Sequence, residues 1–118
     1  MEIFGREYNF LLCVGAEEEI AHLCRDGSIR NLAELMSGES AIAGAKQTAC
    51  ILSRWYEKRR AFEDPGYEPA PLTEEMLDLL PFSGFTTLQK EIVAACTRDM
   101  RQSVEVGETK KNGAVKSN

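Results

Sequence analysis

Hydrophobic and polar residues alternate with two different periods along this chain of 118 residues. Near the start the period is two. Tyr8, Phe10, Leu12 and Val14 share one face, and Asn9, Leu11 and Cys13 share the other. Such alternation marks extended chain. Residues 2–14, EIFGREYNFLLCV, therefore read as two short strands around Gly5-Arg6, with Gly5 supplying a positive φ. A two-stranded hairpin is marginal alone, so its aromatic face needs helices to pack on.

From residue 39 to 62 the period lengthens to between three and four. Ile42, Ala45, Ala49, Leu52 and Tyr56 fall on one helical face, and Cys50, Ile51, Trp55 and Phe62 widen the stripe. Ser37 or Ser40 can cap its start, and Lys58, Arg59 and Arg60 suit its negative end. Asp64-Pro65-Gly66 stops it. This long central helix cannot stand alone, because ordering its backbone costs more than one apolar stripe returns. The rest of the chain should pack around it.

The remaining pattern supplies shorter helices. Ala16 to Cys24 opens with three glutamates and turns Ile20, Leu23 and Cys24 inward. Arg25 to Ser28 is a turn, and Ile29 to Met36 a short helix with a Leu-rich side. Residues 64–73 hold three of the four prolines and form an extended connector. Thr73 with Glu74 and Glu75 begins a short helix that Pro81 ends. Residues 82–85 read as a turn. Thr86 or Thr87 then caps a last helix to about Gln102, with a stripe of Leu88, Ile92, Ala95, Cys96 and Met100. Beyond Val104 the pattern is polar and aperiodic, as in disordered chain. The predicted fold is mainly α: one small helical domain over 1–102, a short N-terminal β-hairpin packed on the long central helix, and a disordered C-terminal tail over 103–118.

Composition narrows the function classes. A net charge of −5 disfavours binding to nucleic acid through phosphates. The one dense basic cluster is Arg54, Lys58, Arg59 and Arg60, interrupted by Glu57 and Glu63. Cys13, Cys24, Cys50 and Cys96 are scattered in apolar segments without a C-x-x-C pair, so buried thiols in a reducing compartment are expected. No basic-then-apolar leader is visible, and the longest apolar run, Phe10 to Val14, is too short to span a bilayer. A cytoplasmic protein is expected.

Candidate chemistry is sparse. His22 and Cys24 lack a second ligand pair at zinc-site spacing. The glutamates of 17–19 and 74–75 are adjacent and fan around their helices, so no paired carboxylates emerge. Neither Gly38 nor Gly44 precedes the Lys-Ser/Thr of a phosphate loop. We expect no enzyme activity, no cofactor and no metal. What stands out is an aromatic group, Trp55, Tyr56, Phe62 and Tyr67, where the long helix meets the connector. Arg59 and Arg60 lie beside it. Trp, Tyr and Arg are the residues favoured at protein interfaces, so these six are the candidate partner-binding residues.

The opening EIFGREYNFLLCVGAEEEIAHLC resembles that of tail assembly chaperones of long-tailed bacteriophages and prophages. Those chains begin with a hairpin of the form I-x-G-x-x-Y, then an apolar strand, a Gly and a helix. The matching residues are Ile3, Gly5, Tyr8, Phe10, Leu12, Val14 and Gly15. LSRWYEKRRAFEDPGYEPAPLTEEMLDLLP is similar to members from Gram-positive hosts. The matched positions are structural, and none is catalytic. The resemblance implies a small cytoplasmic protein of viral morphogenesis. It would coat the long helical tape measure protein and recruit major tail protein, and it would be absent from the finished virion. Self-association is left open; no nucleic acid or membrane is expected as partner.

The family commonly makes a frameshifted longer product. Lys110-Lys111-Asn112 can be encoded by a run of adenines, on which paired transfer RNAs can slip back one base. This marks a candidate frameshift position within the polar tail. The alternative reading is a small helical regulatory protein that binds DNA or another protein. Ile29 to Met36 and the long helix would then form a helix-turn-helix, but the start of that helix is acidic and small, a poor match to a major groove.

Overall fold

A computed structural model describes residues 1–24 and 41–116, with side chains through Met100. The fold is mainly helical with a short antiparallel hairpin at the N-terminus, as the pattern predicts. Strand β1 (Glu2–Ile3) pairs with β2 (Arg6–Glu7), Glu2 opposite Glu7 and Ile3 opposite Arg6. Phe4 and Gly5 turn the chain with φ of 49° and 81°. Positive φ at both central residues matches the right-handed twist of a hairpin.

Tyr8, Phe10 and Leu12 keep the predicted alternation and are buried. They form extended chain rather than a third strand, and Val14 leaves the pattern. Val14 instead opens helix α1 (Val14–Leu23) and is 86% exposed. Helix α1 thus starts two residues before the predicted Ala16. Gly15 lies inside it and does not separate it from the hairpin. Ala16 and Ile20 are its fully buried residues, Cys24 beyond its end is buried too, and Leu23 is half-buried.

Helix α2 (Ala41–Glu63) is the long central helix. Ala45, Thr48, Ala49 and Leu52 are fully buried. Thr48 returns its hydroxyl to the Gly44 carbonyl (2.7 Å), so its burial leaves no unpaired donor. Two ends of the predicted stripe do not reach the core. Ile42, in the first turn, is 56% exposed, and Phe62 is 82% exposed. Phe62 shares the side of the helix on which Ile51 is buried, but it sits in the last turn, at the end of α2, as Ile42 does at the start.

Helix α3 (Glu74–Asp78) is capped as predicted: the Met76 N–H donates to the Thr73 hydroxyl (3.3 Å). Helix α4 (Phe82–Lys116) starts earlier than the sequence suggests. The Phe85 N–H donates to the Pro81 carbonyl (3.0 Å), so residues 82–85 are its first turn. Thr86 and Thr87 lie within the helix and donate to the carbonyls of Phe82 and Ser83 (both 3.2 Å). The early start brings Phe85 into line with Leu88, Ile92, Ala95 and Cys96, and all five are buried. Met100, placed on that stripe by its spacing, is 41% exposed.

The α4 backbone continues to Lys116, past the boundary expected at Gln102. Extending a helix that is already packed needs no new nucleus. The expected turn at 25–28, the short helix at 29–36 and the caps Ser37 and Ser40 lie outside the described residues.

Candidate functional site

The site is built around the second half of α2, from Ser53 to Glu63. One face of it fixes the connector. Pro69 and Pro71 have no N–H, which leaves Ala70 between them and Leu72 after them as the donors. The Ala70 N–H donates to Glu57 Oε1 (2.8 Å), and the Leu72 N–H donates to Ser53 Oγ (2.9 Å). Ser53 and Glu57 are one turn apart on the helix, and both are buried. Glu57 also accepts from the Tyr67 hydroxyl (2.6 Å) and pairs with Arg6 (3.5 Å). Donation to Glu57 holds the Tyr67 phenol above its usual pKa. The Arg60 guanidinium lies 4.5 Å from the Tyr67 ring centre, within cation–π range.

A second face holds α1. Trp55 lies against Gly15, where an added Cβ would collide with the indole ring. The indole N–H donates to Glu19 Oε1 (2.6 Å), and Arg54 pairs with the other carboxylate oxygen. The Arg54 hydrogen bond leads in lowering the pKa of Glu19, against the cost of burial. Lys58 covers the outer face of Trp55, 4.3 Å from the ring centre.

Helix α4 closes the floor by gripping extended residues 10–12. Arg98 donates to the Phe10 carbonyl (3.0 Å), and the Leu12 N–H donates to Asp99 Oδ2 (2.9 Å). Arg98 and Asp99 also pair with each other (2.8 Å). Burial opposes the Asp99 charge. The hydrogen bonds from Arg98 and Leu12 outweigh it and hold the carboxyl below its usual pKa. Between these bonds, the Leu11 N–H donates to the Leu52 carbonyl (3.2 Å). Side chains of α4 and a carbonyl of α2 thus take the place of neighbouring strands.

Two depressions flank Arg59. One, of about 390 Å³, is an apolar shelf formed by Leu11, Cys13, Trp55 and Phe62, with Lys58 and Arg59 beside them. The other, of about 590 Å³, runs between α2 and α4 over residues 8–11; Tyr56, Arg59, Arg60 and Arg98 line it with Glu63 and Glu91. Arg59 borders both, and its pairing with Glu63 (3.5 Å) joins two exposed side chains. Such a pair contributes little and is readily exchanged.

The six residues singled out from sequence therefore divide. Trp55, Arg59 and Phe62 border the shelf, and Tyr56, Arg59 and Arg60 border the second depression. Tyr67, in the connector, faces Glu57 and Arg60 of α2. The polar residues that hold this region together, Glu57, Arg98 and Asp99, were not anticipated. Glu57 reads as one more charge in a solvated run; its burial appears only once the prolines of the connector are set against it. Lys110, Lys111 and Asn112 lie on the α4 backbone beyond the described side chains.

Chemically, the site offers contact surface. Among the described residues no three His, Cys, Asp or Glu side chains gather as a metal site would need. His22 is exposed in the last turn of α1, and Cys24 is buried. Cys13 and Cys50 are half-buried and Cys96 is buried. Burial pushes the thiols of Cys50 and Cys96 up to about 11, which keeps them protonated at neutral pH. Among the described residues, no helix is long and apolar enough to cross a membrane. No protein-family model, curated protein or solved structure matches this chain.

Proposed function

We propose that this protein is an assembly chaperone of long phage tails. It captures helical segments of the tape measure protein and recruits major tail protein while the tail is built. It works in the bacterial cytoplasm and leaves before the virion is complete. The observation that carries the reading is the exposed aromatic and basic end of α2. Phe62 stands 82% exposed beside Trp55 and Arg59, on a shelf wide enough for side chains of another helix. What distinguishes Phe62 is its company: an apolar patch with Trp55 and Leu11, rimmed by Lys58 and Arg59, is the composition favoured at partner surfaces. The resemblance of the opening hairpin to such chaperones supplies the partner. The type of turn at Phe4-Gly5 and the burial of Ile3, Tyr8, Phe10 and Leu12 are consistent with it.

Co-expression with tape measure protein fragments tests the reading. Stable co-purification, and a tape measure protein kept soluble only in the presence of this chain, are expected. Binding of duplex DNA at micromolar strength in moderate salt, with no affinity for those fragments, would overturn it in favour of a regulatory DNA-binding role.

A further inference from the structure

We infer that the shelf between Leu11 and Phe62 accepts an acidic amphipathic helix, with one large apolar side chain lodged against Trp55 and Phe62. This inference rests on the capture of a helical partner proposed above and specifies its chemistry. Three observations carry it. First, the shelf is apolar at its base, with Leu11, Cys13, Trp55 and Phe62, and its flanking charges are Lys58 and Arg59; among the described residues no carboxylate lines it. Second, this basic face belongs to a chain whose net charge is −5. An acidic ligand is repelled by the molecule at large and attracted here, which steers it to one face. Third, both cations are held by weak bonds that a ligand carboxylate can replace. Lys58 rests on the Trp55 ring at 4.3 Å, and Arg59 on exposed Glu63 at 3.5 Å. A helix laid along the shelf would present apolar residues at i, i+3 or i+4 and i+7 to the floor, and carboxylates to Lys58 and Arg59.

The molecule carries its own reporter. Trp55 is the single tryptophan of the chain and lines the shelf. Its emission can be followed while the full-length protein is titrated with three probes. The first is a synthetic amphipathic helix of about twenty residues with Leu and Phe on one face and Glu on the other. The second has Lys for every Glu, and the third is oligothymidine. The acidic helix should shift the emission and bind more weakly as salt is raised. Phe62→Ala, and separately Lys58→Glu with Arg59→Glu, should each weaken it roughly tenfold or more. Phe62, Lys58 and Arg59 are all exposed, so these variants should keep the native circular dichroism. Equal binding of the acidic and basic helices would overturn the inference, as would a response to oligothymidine alone. Tape measure fragments decide the wider reading separately. If they bind and Phe62→Ala leaves that binding intact, the shelf is not their site and the inference fails while the chaperone role stands. If the acidic helix binds and the fragments do not, the inference stands and the chaperone role fails.

Discussion

Helix α2 is one element with two unlike halves. In the first, Ala45, Thr48, Ala49 and Leu52 are sealed against the rest of the fold, and the largest of them is a leucine. In the second, Trp55, Tyr56, Arg59, Arg60 and Phe62 are large, and none of them is fully buried. Only Ser53 and Glu57 are buried there, and both are polar groups that hold the connector. The first half is small and closed, its buried residues sealed in the core. The second is broad because its anchoring is done by polar groups on both flanks, Ser53 and Glu57 on the connector and Arg54 and Trp55 on Glu19 of α1, while Lys58, Arg59 and Phe62 stay exposed. The same helix thus packs at one end and, in the function proposed above, offers a recognition surface at the other.

The comparison breaks most visibly at Leu52. Leu52→Ala removes a fully buried side chain at the end of the closed half and should cost about 2–5 kcal/mol in chemical denaturation. A cost under half a kcal/mol would show that the closed half is not closed. Next in size is Glu57→Ala, which strips the acceptor from Tyr67, Ala70 and Arg6 and should cost about 1–3 kcal/mol. If the fold is indifferent to it, the connector is held by something other than the helix flank, and the open half has no anchor on that side.

Acid sharpens the comparison, because the floor between the halves depends on a carboxylate. The folded pKa of Asp99 lies below its usual value. Its contribution is therefore present above the pKa of the unfolded chain, near 3.9, and is lost as pH falls through the lowered folded value. Stability should decline over that acid range, and Asp99→Asn should show a smaller decline when the two are compared by denaturation midpoints. Cys50 and Cys96 act at the other extreme. Their folded pKa values, about 11, lie above the unfolded thiol value, so their contribution is full below that value and fades as pH rises through 11.

What the sequence revealed follows from which interactions are local. The stripe from Ala45 to Leu52, the Thr73 cap and the alternation from Tyr8 to Leu12 are short-range patterns, and they appear in the fold as read. Where the outcome depends on a distant segment, the pattern misleads. Gly15 looks like a break between elements, yet it is helical and bare because Trp55, forty residues later, lies on it. Thr86 and Thr87 look like caps, but burial of Phe85 draws the start of α4 back to Phe82. Phe62 belongs to the apolar stripe by spacing, but it falls in the last turn of α2 and stays exposed. The candidate site was legible as a cluster of aromatic and basic residues. Its division into a shelf, a second depression and a buried Glu57 anchor was not, because each needs the hairpin, connector and α4 in place.

The smallest expected effect on stability is also the most direct test of the account. Phe62→Ala with Arg59→Ala removes two exposed side chains from the open half, and surface changes of this kind usually fall within about 0.5 kcal/mol. Trp55 is a poorer target because it also braces Gly15 and Glu19. The decisive measurement pairs the denaturation midpoint of this double variant with its capture of tape measure fragments. The account predicts an unchanged midpoint and a loss of capture of roughly tenfold or more. An unchanged midpoint with full capture, or a drop in stability as large as the loss of capture, would contradict it.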